Sequence, residues 1–124
     1  MSTKTALPTY QQVSLRLHLI YAGPLVVLDS PKTPTKKGLG RFVAEWAREY
    51  LYYGVKTAEW WITWQACTTA SRFMLDNFHV RLPRDTFREE RARVRYQIEE
   101  YKRLDRAAFH ADPDARKALA WASK

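Results

Sequence analysis

The strongest constraint in the sequence is a run of twelve residues, 60–71, that contains no charged side chain. It lies inside a longer segment where uncharged residues recur at alternating spacings of three and four, the period of an α-helix. The recurring positions are Val43, Trp46, Tyr50, Tyr53, Thr57, Trp60, Trp64, Cys67, Ser71, Met74 and Phe78. A helix without a charged face has to be surrounded by other groups. The pattern predicts one aromatic-rich central helix over about 39–78, which if continuous is about 60 Å long at a rise of about 1.5 Å per residue. The sequence leaves open whether this helix bends near Gly54.

The segment before this helix fits two secondary structures. Much of 13–21 alternates between apolar and polar side chains in the manner of a strand. Thr9 and Gln12, however, have the spacing of a helix capping box, and a Gly-Pro pair further on provides a stop. These signals predict a short helix over 10–22 and leave the strand as the alternative.

The remaining segments predict helices joined by short connections. Residues 29–38 are rich in Pro and Lys and lack a hydrophobic period, so they predict an extended linker. Residues 79–85 predict a turn. Thr86 and Glu89 repeat the capping-box spacing at the start of a charged helix over about 86–109.

Two further features complete the predicted architecture. Along the charged helix, Glu89 with Arg93 and Glu99 with Arg103 have the i,i+4 spacing of favourable ion pairs. Asp112 precedes a proline and is expected to cap a short C-terminal helix that ends near Trp121. Outside 13–21, no strand pattern competes with these helices. We therefore expect all 124 residues to form one all-α, extended helical unit.

The charge balance points to the kind of partner that the chain binds. The sequence has 21 Lys and Arg against 13 Asp and Glu, so its net charge is +8 and its isoelectric point is near 9.8. The excess lies in residues 1–40 and 81–124, each with a net charge of +4, whereas residues 41–80 are neutral. Such a surplus suits a nucleic acid, an anionic lipid or an acidic protein.

Aromatic side chains, 14% of the residues, form the first candidate contact surface. Trp and Tyr favour membrane interfaces, because the ring is apolar and its N–H or O–H group needs a wet partner. A lone span needs about 20 mostly apolar residues, so crossing by 51–75 would require neighbouring helices to bind its Thr, Ser and Gln side chains. A buried core helix and a water-exposed docking face are the alternatives. The residues expected to contact partner proteins or lipid acyl chains are Trp46, Tyr50, Tyr53, Trp60, Trp61 and Trp64.

A stripe of basic residues at helical spacing is the second candidate surface. It consists of Arg84, Arg88, Arg91, Arg95, Lys102 and Arg106. Such a face can bind the phosphates of RNA, DNA or cardiolipin. Residues 84–106 also contain six acidic residues, so a solvated helix that pairs its own charges is the alternative. The residues expected to contact anionic groups are Lys56, Arg72, Arg84, Arg88, Arg91 and Arg95.

The sequence contains no recognisable catalytic or metal-binding pattern. Cys67 is the single cysteine, and no adjacent cation lowers the pKa of its thiol, so we expect it to serve packing. His18, His79 and His110 lie far apart, and none has a Ser, Cys or carboxylate at a motif spacing. We therefore expect no enzymatic activity, no cofactor and no bound metal.

The layout as a whole resembles a class of known proteins. A short basic chain with an acid-poor N-terminal segment, an aromatic helix and a charged terminal helix resembles the small accessory subunits of mitochondrial inner-membrane complexes, either the ATP synthase or the respiratory chain. The resemblance implies a non-catalytic subunit, integral or peripheral at the inner membrane, that braces other protein subunits and contacts anionic phospholipid such as cardiolipin. The alternative is a subunit of a ribonucleoprotein such as a mitochondrial ribosome, in which Lys32, Lys36, Lys37 and the basic stripe bind RNA phosphates.

Overall fold

Six α-helices make up the part of the chain that the computed structural model describes, residues 6–27 and 32–124. They are α1 (Tyr10–Tyr21), α2 (Lys36–Tyr50), α3 (Glu59–Phe78), α4 (Arg88–Leu104), α5 (Arg106–His110) and α6 (Pro113–Ala122). No strand occurs within the described residues, so the all-α prediction is confirmed. Of the predicted 29–38 linker, residues 29–31 lie outside the described residues, 32–35 are not helical, and the rest belongs to α2.

The first helix begins at the capping box that the sequence predicts. The Thr9 hydroxyl accepts a hydrogen bond from the Gln12 N–H at 3.1 Å, and the Gln12 side chain accepts one from the Thr9 N–H at 2.8 Å. The helix ends at Ala22, which adopts the left-handed conformation at φ 53° and donates its N–H to the His18 carbonyl. The segment is therefore the predicted helix and not the alternative strand.

The chain after α1 folds back along the helix. The buried Ser14 hydroxyl donates to the Val26 carbonyl at 2.8 Å and accepts from the Val26 N–H at 3.1 Å. The Gly23 backbone lies in close contact with the Trp46 ring, and a Cβ atom at this position would be only 2.5 Å from Trp46 Cζ2. The close approach of backbone and indole ring seals one side of the core.

The predicted central helix is two helices. Residues 51–58 are not helical and separate α2 from α3. Gly54 lies in this connection at φ 79°, in the left-handed region that glycine adopts without steric cost. The two helices run antiparallel, and Arg48 near the end of α2 donates to Glu59 at the start of α3 at 2.6 Å. The prediction of one continuous helix over 39–78 is therefore wrong, and an α2–α3 hairpin takes its place.

The hairpin forms because each half can bury its apolar face against the other, which a single straight helix cannot do within one chain. Periodicity misses the break because the connection keeps aromatic residues. Tyr52 in the connection packs back on α3, with its ring 5.6 Å from the Trp61 ring and its hydroxyl 2.6 Å from Thr69 Oγ1. The connection is therefore part of the packed fold.

The charged helix begins later than predicted. Thr86 is buried, and its hydroxyl donates to the Pro83 carbonyl at 2.7 Å instead of capping a helix. Phe87 occupies the N-cap position, and α4 begins at the next residue. The predicted capping box of Thr86 and Glu89 is wrong, because the Thr86 hydroxyl donates to the Pro83 carbonyl of the preceding turn and does not cap α4.

The charged helix also ends earlier than predicted. Asp105, at φ −149° and ψ 82°, separates α4 from α5, and its carboxylate accepts from the Ala108 N–H at 3.0 Å. The predicted range of 86–109 is thus replaced by two helices. The prediction for the C-terminal helix is confirmed, since the Asp112 carboxylate accepts from the Ala115 N–H at 3.1 Å and the helix ends one residue after Trp121.

Ion pairs along α4 form with other partners than the sequence predicts. Arg103 Nη2 lies 2.8 Å from Glu100 Oε2, three residues before it. Arg93 Nη1 lies 3.9 Å from Glu59 Oε1 on α3. Neither arginine pairs with the predicted carboxylate four residues earlier in the described structure. One of the two pairs therefore connects helices instead of stabilising a single helix.

Two clusters of buried side chains form the core. The first joins α1, α2 and α3 and contains Val13, Leu17, Leu39, Val43, Trp46, Cys67, Ala70, Phe73, Met74, Val80 and Phe87. The second joins α4, α5 and α6 and contains Val94, Ile98, Phe109, Ala115, Ala118 and Ala122. Trp121 packs against both clusters, and Trp60 and Trp64 on α3 pack against the second. The uncharged run of α3 is therefore surrounded largely by other helices of its own chain.

Candidate functional site

Four of the five arginines predicted to contact anionic groups line one groove at the surface. The groove lies between the start of α4 and the end of α6 and has a volume of about 310 Å³. Its lining residues are Arg84, Asp85, Arg88, Arg91, Ala92, Arg95, Ala122 and Lys124. We call it the arginine groove.

Helix geometry explains why these side chains meet. Arg88, Arg91 and Arg95 are spaced by three and four residues, so they project from one face of α4. Arg84 joins them from the turn that precedes the helix. The opposite wall comes from the end of α6, which contributes Ala122, and from Lys124 two residues after it. The groove therefore depends on the docking of α6 against α4.

Arg91 anchors this docking. Its guanidinium carbon lies 4.3 Å from the centroid of the Trp121 ring, and its Nη1 donates to the Trp121 carbonyl. Partial burial lowers the pKa of Arg91. A guanidinium that has lost part of its hydration interacts more strongly with an anion than a fully hydrated one does. Arg91 thus fixes the wall of the groove and offers its remaining N–H groups to a ligand.

The other cations of the groove have no partner within the described part of the chain. Arg84, Arg88 and Arg95 are exposed, and neither they nor Lys124 form a hydrogen bond or ion pair with any side chain there. The one acidic residue of the lining, Asp85, is already paired with Lys37 at 2.5 Å. The hydrogen bond from Lys37 holds the pKa of that carboxyl below its usual range. The groove consequently keeps an excess of positive charge.

The rest of the basic stripe lies elsewhere. Lys102 Nζ sits 5.4 Å from the centroid of the Phe109 ring, and Arg106 belongs to α5, beyond the break at Asp105. Of the other two predicted anion contacts, Lys56 pairs with Asp114 at 3.2 Å, and Arg72 lines a separate cleft on α3. The structure therefore brings together four of the six predicted anion-binding residues.

The six aromatic residues of the first candidate surface do not share one face. Trp46 is 3% exposed and Trp61 is 9% exposed, and both lie within the fold. Trp60 and Trp64 are half-buried against the second cluster. Tyr50 and Tyr53 are exposed, at 43% and 85%. A partner can reach the two tyrosines and the outer edges of two tryptophans, whereas two indole rings serve the core.

A further surface was not predicted from the sequence. Apolar side chains on α1 and the segment after it face outwards at exposures of 48% to 75%. They are Leu15, Leu19, Ile20, Leu25 and Val27, and we call them the α1 apolar face. Leu15 and Leu19 also line a cleft of about 560 Å³ against Phe78. The alternation of apolar and polar residues in this segment could have revealed this surface, because a helix with that pattern cannot bury all its apolar side chains on one face.

Groups with possible chemical activity are dispersed or buried. Cys67 is 2% exposed, and burial raises the pKa of its thiol to about 12. His18 donates its Nδ1–H to the Gly23 carbonyl at 2.5 Å. Within residues 6–27 and 32–124, no group of three or more His, Cys, Asp or Glu side chains is arranged to hold a metal ion.

Two last observations bear on the class of protein. None of the helices in the described ranges is long and apolar enough to cross a membrane. No protein-family model matches the chain, and no curated protein or solved structure shows significant similarity to it.

Proposed function

We propose that this chain is a non-catalytic accessory subunit of a large mitochondrial inner-membrane complex, the ATP synthase or the respiratory chain, where it braces core subunits and contacts anionic phospholipid. The observation that best supports the proposal is the arginine groove, whose cations Arg84, Arg88 and Arg95 lack partners in the described chain. A folded protein that leaves such a cluster unpaired at one surface gains from an anionic partner there.

Lipid phosphate suits the groove in chemistry. Guanidinium groups bind phosphate oxygens in a bidentate manner, and such charge-assisted hydrogen bonds are stronger than neutral ones. Each basic residue near an anionic membrane surface contributes about 1 kcal/mol of attraction. Arg84, Arg88, Arg91 and Arg95 could therefore hold one edge of the subunit at the lipid headgroups.

The α1 apolar face supports the protein-binding part of the proposal. Leu19 and Val27 are 68% and 75% exposed, and Leu15 and Ile20 are half-exposed beside them. Contiguous apolar side chains of this kind mark interaction surfaces in soluble folds. We assign this face to an apolar surface of a core subunit, which would bury it on assembly.

The proposal is tested by purification of the tagged full-length chain in mild detergent from mitochondria of cells that express it. We expect the subunits of one inner-membrane complex to copurify. The double variant Leu15→Asp, Leu19→Asp should lose them, because it charges the α1 apolar face. Recovery of the chain alone or with unrelated proteins contradicts the proposal.

A matched control keeps this test specific. Val55→Asp with Leu104→Asp also places two carboxylates at exposed apolar positions, which are 59% and 72% exposed and lie away from α1. This control should retain the copurifying subunits. Loss in both double variants would mean that added negative charge, and not the α1 apolar face, decides assembly.

A second candidate function is an RNA- and protein-binding subunit of a ribonucleoprotein such as a mitochondrial ribosome. Tyr96 supports it, because this ring is 69% exposed and lies next to Arg95 on α4. Exposed aromatic rings beside arginines stack on unpaired bases. Ribosomal RNA in the purified material, lost on nuclease treatment and reduced by Tyr96→Ala, would favour this function over the first.

A further inference from the structure

We propose that the arginine groove binds a ligand with two phosphate groups joined by a short linker, either as a lipid headgroup or free in solution. The lipid form of this inference rests on the proposed function, since only a membrane-associated subunit meets such a headgroup. The number of cations in the groove determines how many phosphates the ligand carries. Their spacing along α4 determines how far apart those phosphates lie.

The number of available cations exceeds what one phosphate uses. Arg84, Arg88, Arg95 and Lys124 are without partners in the described residues, and Arg91 retains N–H groups beyond its bond to α6. A phosphodiester carries one negative charge, and one bidentate guanidinium contacts both of its free oxygens, so a single phosphate leaves most of these cations without a partner. Two phosphates thus match the groove in charge better than one.

The spacing of the cations along α4 also favours two phosphates. Arg88 and Arg95 are seven residues apart on α4, which is about 10 Å along the helix axis. Arg84 lies at the Arg88 end of the groove, and Lys124 follows the end of α6. Asp112 bonds to Tyr101 and Trp121 bonds to Arg91, so α6 runs antiparallel to α4 and places Lys124 towards the Arg88 end as well. One phosphate can bind near Arg84, Arg88 and Lys124 while the second binds between Arg91 and Arg95.

Acidic residues limit how long the ligand can be. Glu99 lies one helical turn after Arg95 on the same face of α4, and it is exposed. Glu100 follows it and pairs with Arg103. A strand of RNA that continued along α4 would bring its next phosphates towards these carboxylates, and like charges repel. A compact diphosphate ends before reaching them, so we favour it over a polynucleotide.

Vesicle titrations of the full-length chain test the number of phosphates. Phosphatidylcholine vesicles with about 10 mol% cardiolipin and with about 20 mol% phosphatidylglycerol carry the same surface charge, because cardiolipin has two phosphates and phosphatidylglycerol one. We expect about tenfold tighter binding to the cardiolipin vesicles, since one molecule fills both halves of the groove. Equal affinities for the two vesicles would overturn the lipid form.

Two variants locate the effect. Arg88→Ala with Arg95→Ala removes one cation from each half of the groove, and both side chains are exposed and unpaired, so folding should be unaffected. We expect this variant to bind the two kinds of vesicle equally. The control, Arg116→Ala with Lys117→Ala, removes the same charge from exposed positions on α6 outside the groove and should retain the preference. A preference that survives in the groove variant would overturn the assignment.

The free form of the ligand is tested with glycerol 1,3-bisphosphate, whose linker lets its two phosphates reach both halves of the groove, against glycerol 1-phosphate at the same total phosphate concentration. A larger rise of the melting temperature with the bisphosphate, absent in the groove variant, supports two phosphates from a soluble source even if the vesicles show no preference. No preference in either comparison overturns the inference. Tighter binding of a short single-stranded RNA than of both probes, again lost in the groove variant, also overturns it and points to the polynucleotide.

These outcomes are independent of the purification described above. A chain that copurifies with an inner-membrane complex but shows no preference for two phosphates keeps the proposed function and loses this inference. A chain that prefers two phosphates but copurifies with no complex keeps this inference for the soluble ligand and loses the proposed function.

Discussion

Asp114 joins three parts of the chain through one carboxylate. Its Oδ2 accepts from Trp61 Nε1 at 3.1 Å and lies 3.2 Å from Lys56 Nζ. Trp61 lies in the first turn of α3, Lys56 belongs to the connection before it, and Asp114 lies in the first turn of α6. The hydrogen bond from Trp61 and the charge of Lys56 hold the pKa of Asp114 below its usual value. The ionised carboxylate is therefore a stabilising form.

This arrangement predicts how stability depends on pH. A carboxyl group with a lowered folded-state pKa stabilises the fold above the unfolded-state value of 3.8 and loses that effect as the pH falls through the folded-state value. Asp114→Asn should remove this part of the pH dependence and cost about 0.5–1 kcal/mol at neutral pH, since solvent screens the pair with Lys56. Urea denaturation between pH 2 and pH 7 measures it. Asp76→Asn, at an exposed position without an ion pair in the described structure, is the control.

Cys67 gives a second prediction at a single residue. Burial is the main cause that raises the pKa of its thiol to about 12, and the nearby Glu90 carboxylate adds to the shift. The thiol should stay protonated at pH 8 and react with a disulfide reagent at least about a hundredfold more slowly in the folded chain than in guanidinium chloride. Because folding favours the neutral form, stability should fall as the pH rises above the unfolded-state value of 9.0. Fast reaction of the folded chain would contradict the burial of this group.

At the scale of elements, the α2–α3 hairpin depends on the connection over 51–58. Gly54 adopts φ 79°, and no other atom lies within 4 Å of the place where its Cβ would be. A substitution there meets only backbone strain. Gly54→Ala should lower the free energy of unfolding by about 1–2 kcal/mol, and Gly54→Asn by less, because asparagine tolerates the left-handed region better. Chemical denaturation of both variants tests this, and an unchanged alanine variant would show that the connection adopts another conformation.

The helix ends show which predictions local sequence supports. The Thr9 and Gln12 box is correct, since each of these two exposed side chains bonds to the backbone N–H of the other residue. Thr86 has the same spacing to a glutamate, but the Pro83 carbonyl lies closer to its hydroxyl and takes the hydrogen bond. The sequence leaves a bend near Gly54 open, but it does not reveal the full break over 51–58, because the helical spacing of uncharged residues continues across it. Local signals thus predict which segments are helical better than they predict where a helix ends.

At the scale of the whole molecule, the aromatic residues divide into core and surface. Trp46 packs against the rings of Tyr21 and Tyr50 at 5.8 Å and 5.5 Å and donates its Nε1–H to the Pro24 carbonyl at 3.4 Å. Tyr53 belongs to the same predicted helical stripe as Trp46, but it is 85% exposed. Residues at the same helical spacing therefore include both buried core residues and exposed surface residues.

This division predicts two different mutational effects. Trp46→Ala should lower the free energy of unfolding by about 3–5 kcal/mol, a large part of the total for a domain of this size. Tyr53→Ala should change it by less than about 0.5 kcal/mol, because an exposed ring contributes little to the core. Thermal unfolding of the two variants measures the contrast. Similar losses in both would mean that Tyr53 is covered in the folded protein.

Only the α4 side of the arginine groove could be predicted from the sequence. Helical spacing places Arg88, Arg91 and Arg95 on one face of α4, and that part follows from the sequence. The wall from α6 does not, because the contact between Arg91 and Trp121 joins residues 30 positions apart and has no local signature. The outward α1 apolar face was missed for a related reason, since only the packed structure decides which of its leucines lies inside.

The α2–α3 hairpin also has a consequence for the kinetics of folding. Its two helices are neighbours in the chain, so their contacts require closure of only the short loop over 51–58. A loop of about 10 residues closes in roughly 10–100 ns, much faster than contacts between distant segments form. The hairpin can therefore assemble before the other helices pack, and α1 and α6 would add to a scaffold that already exists.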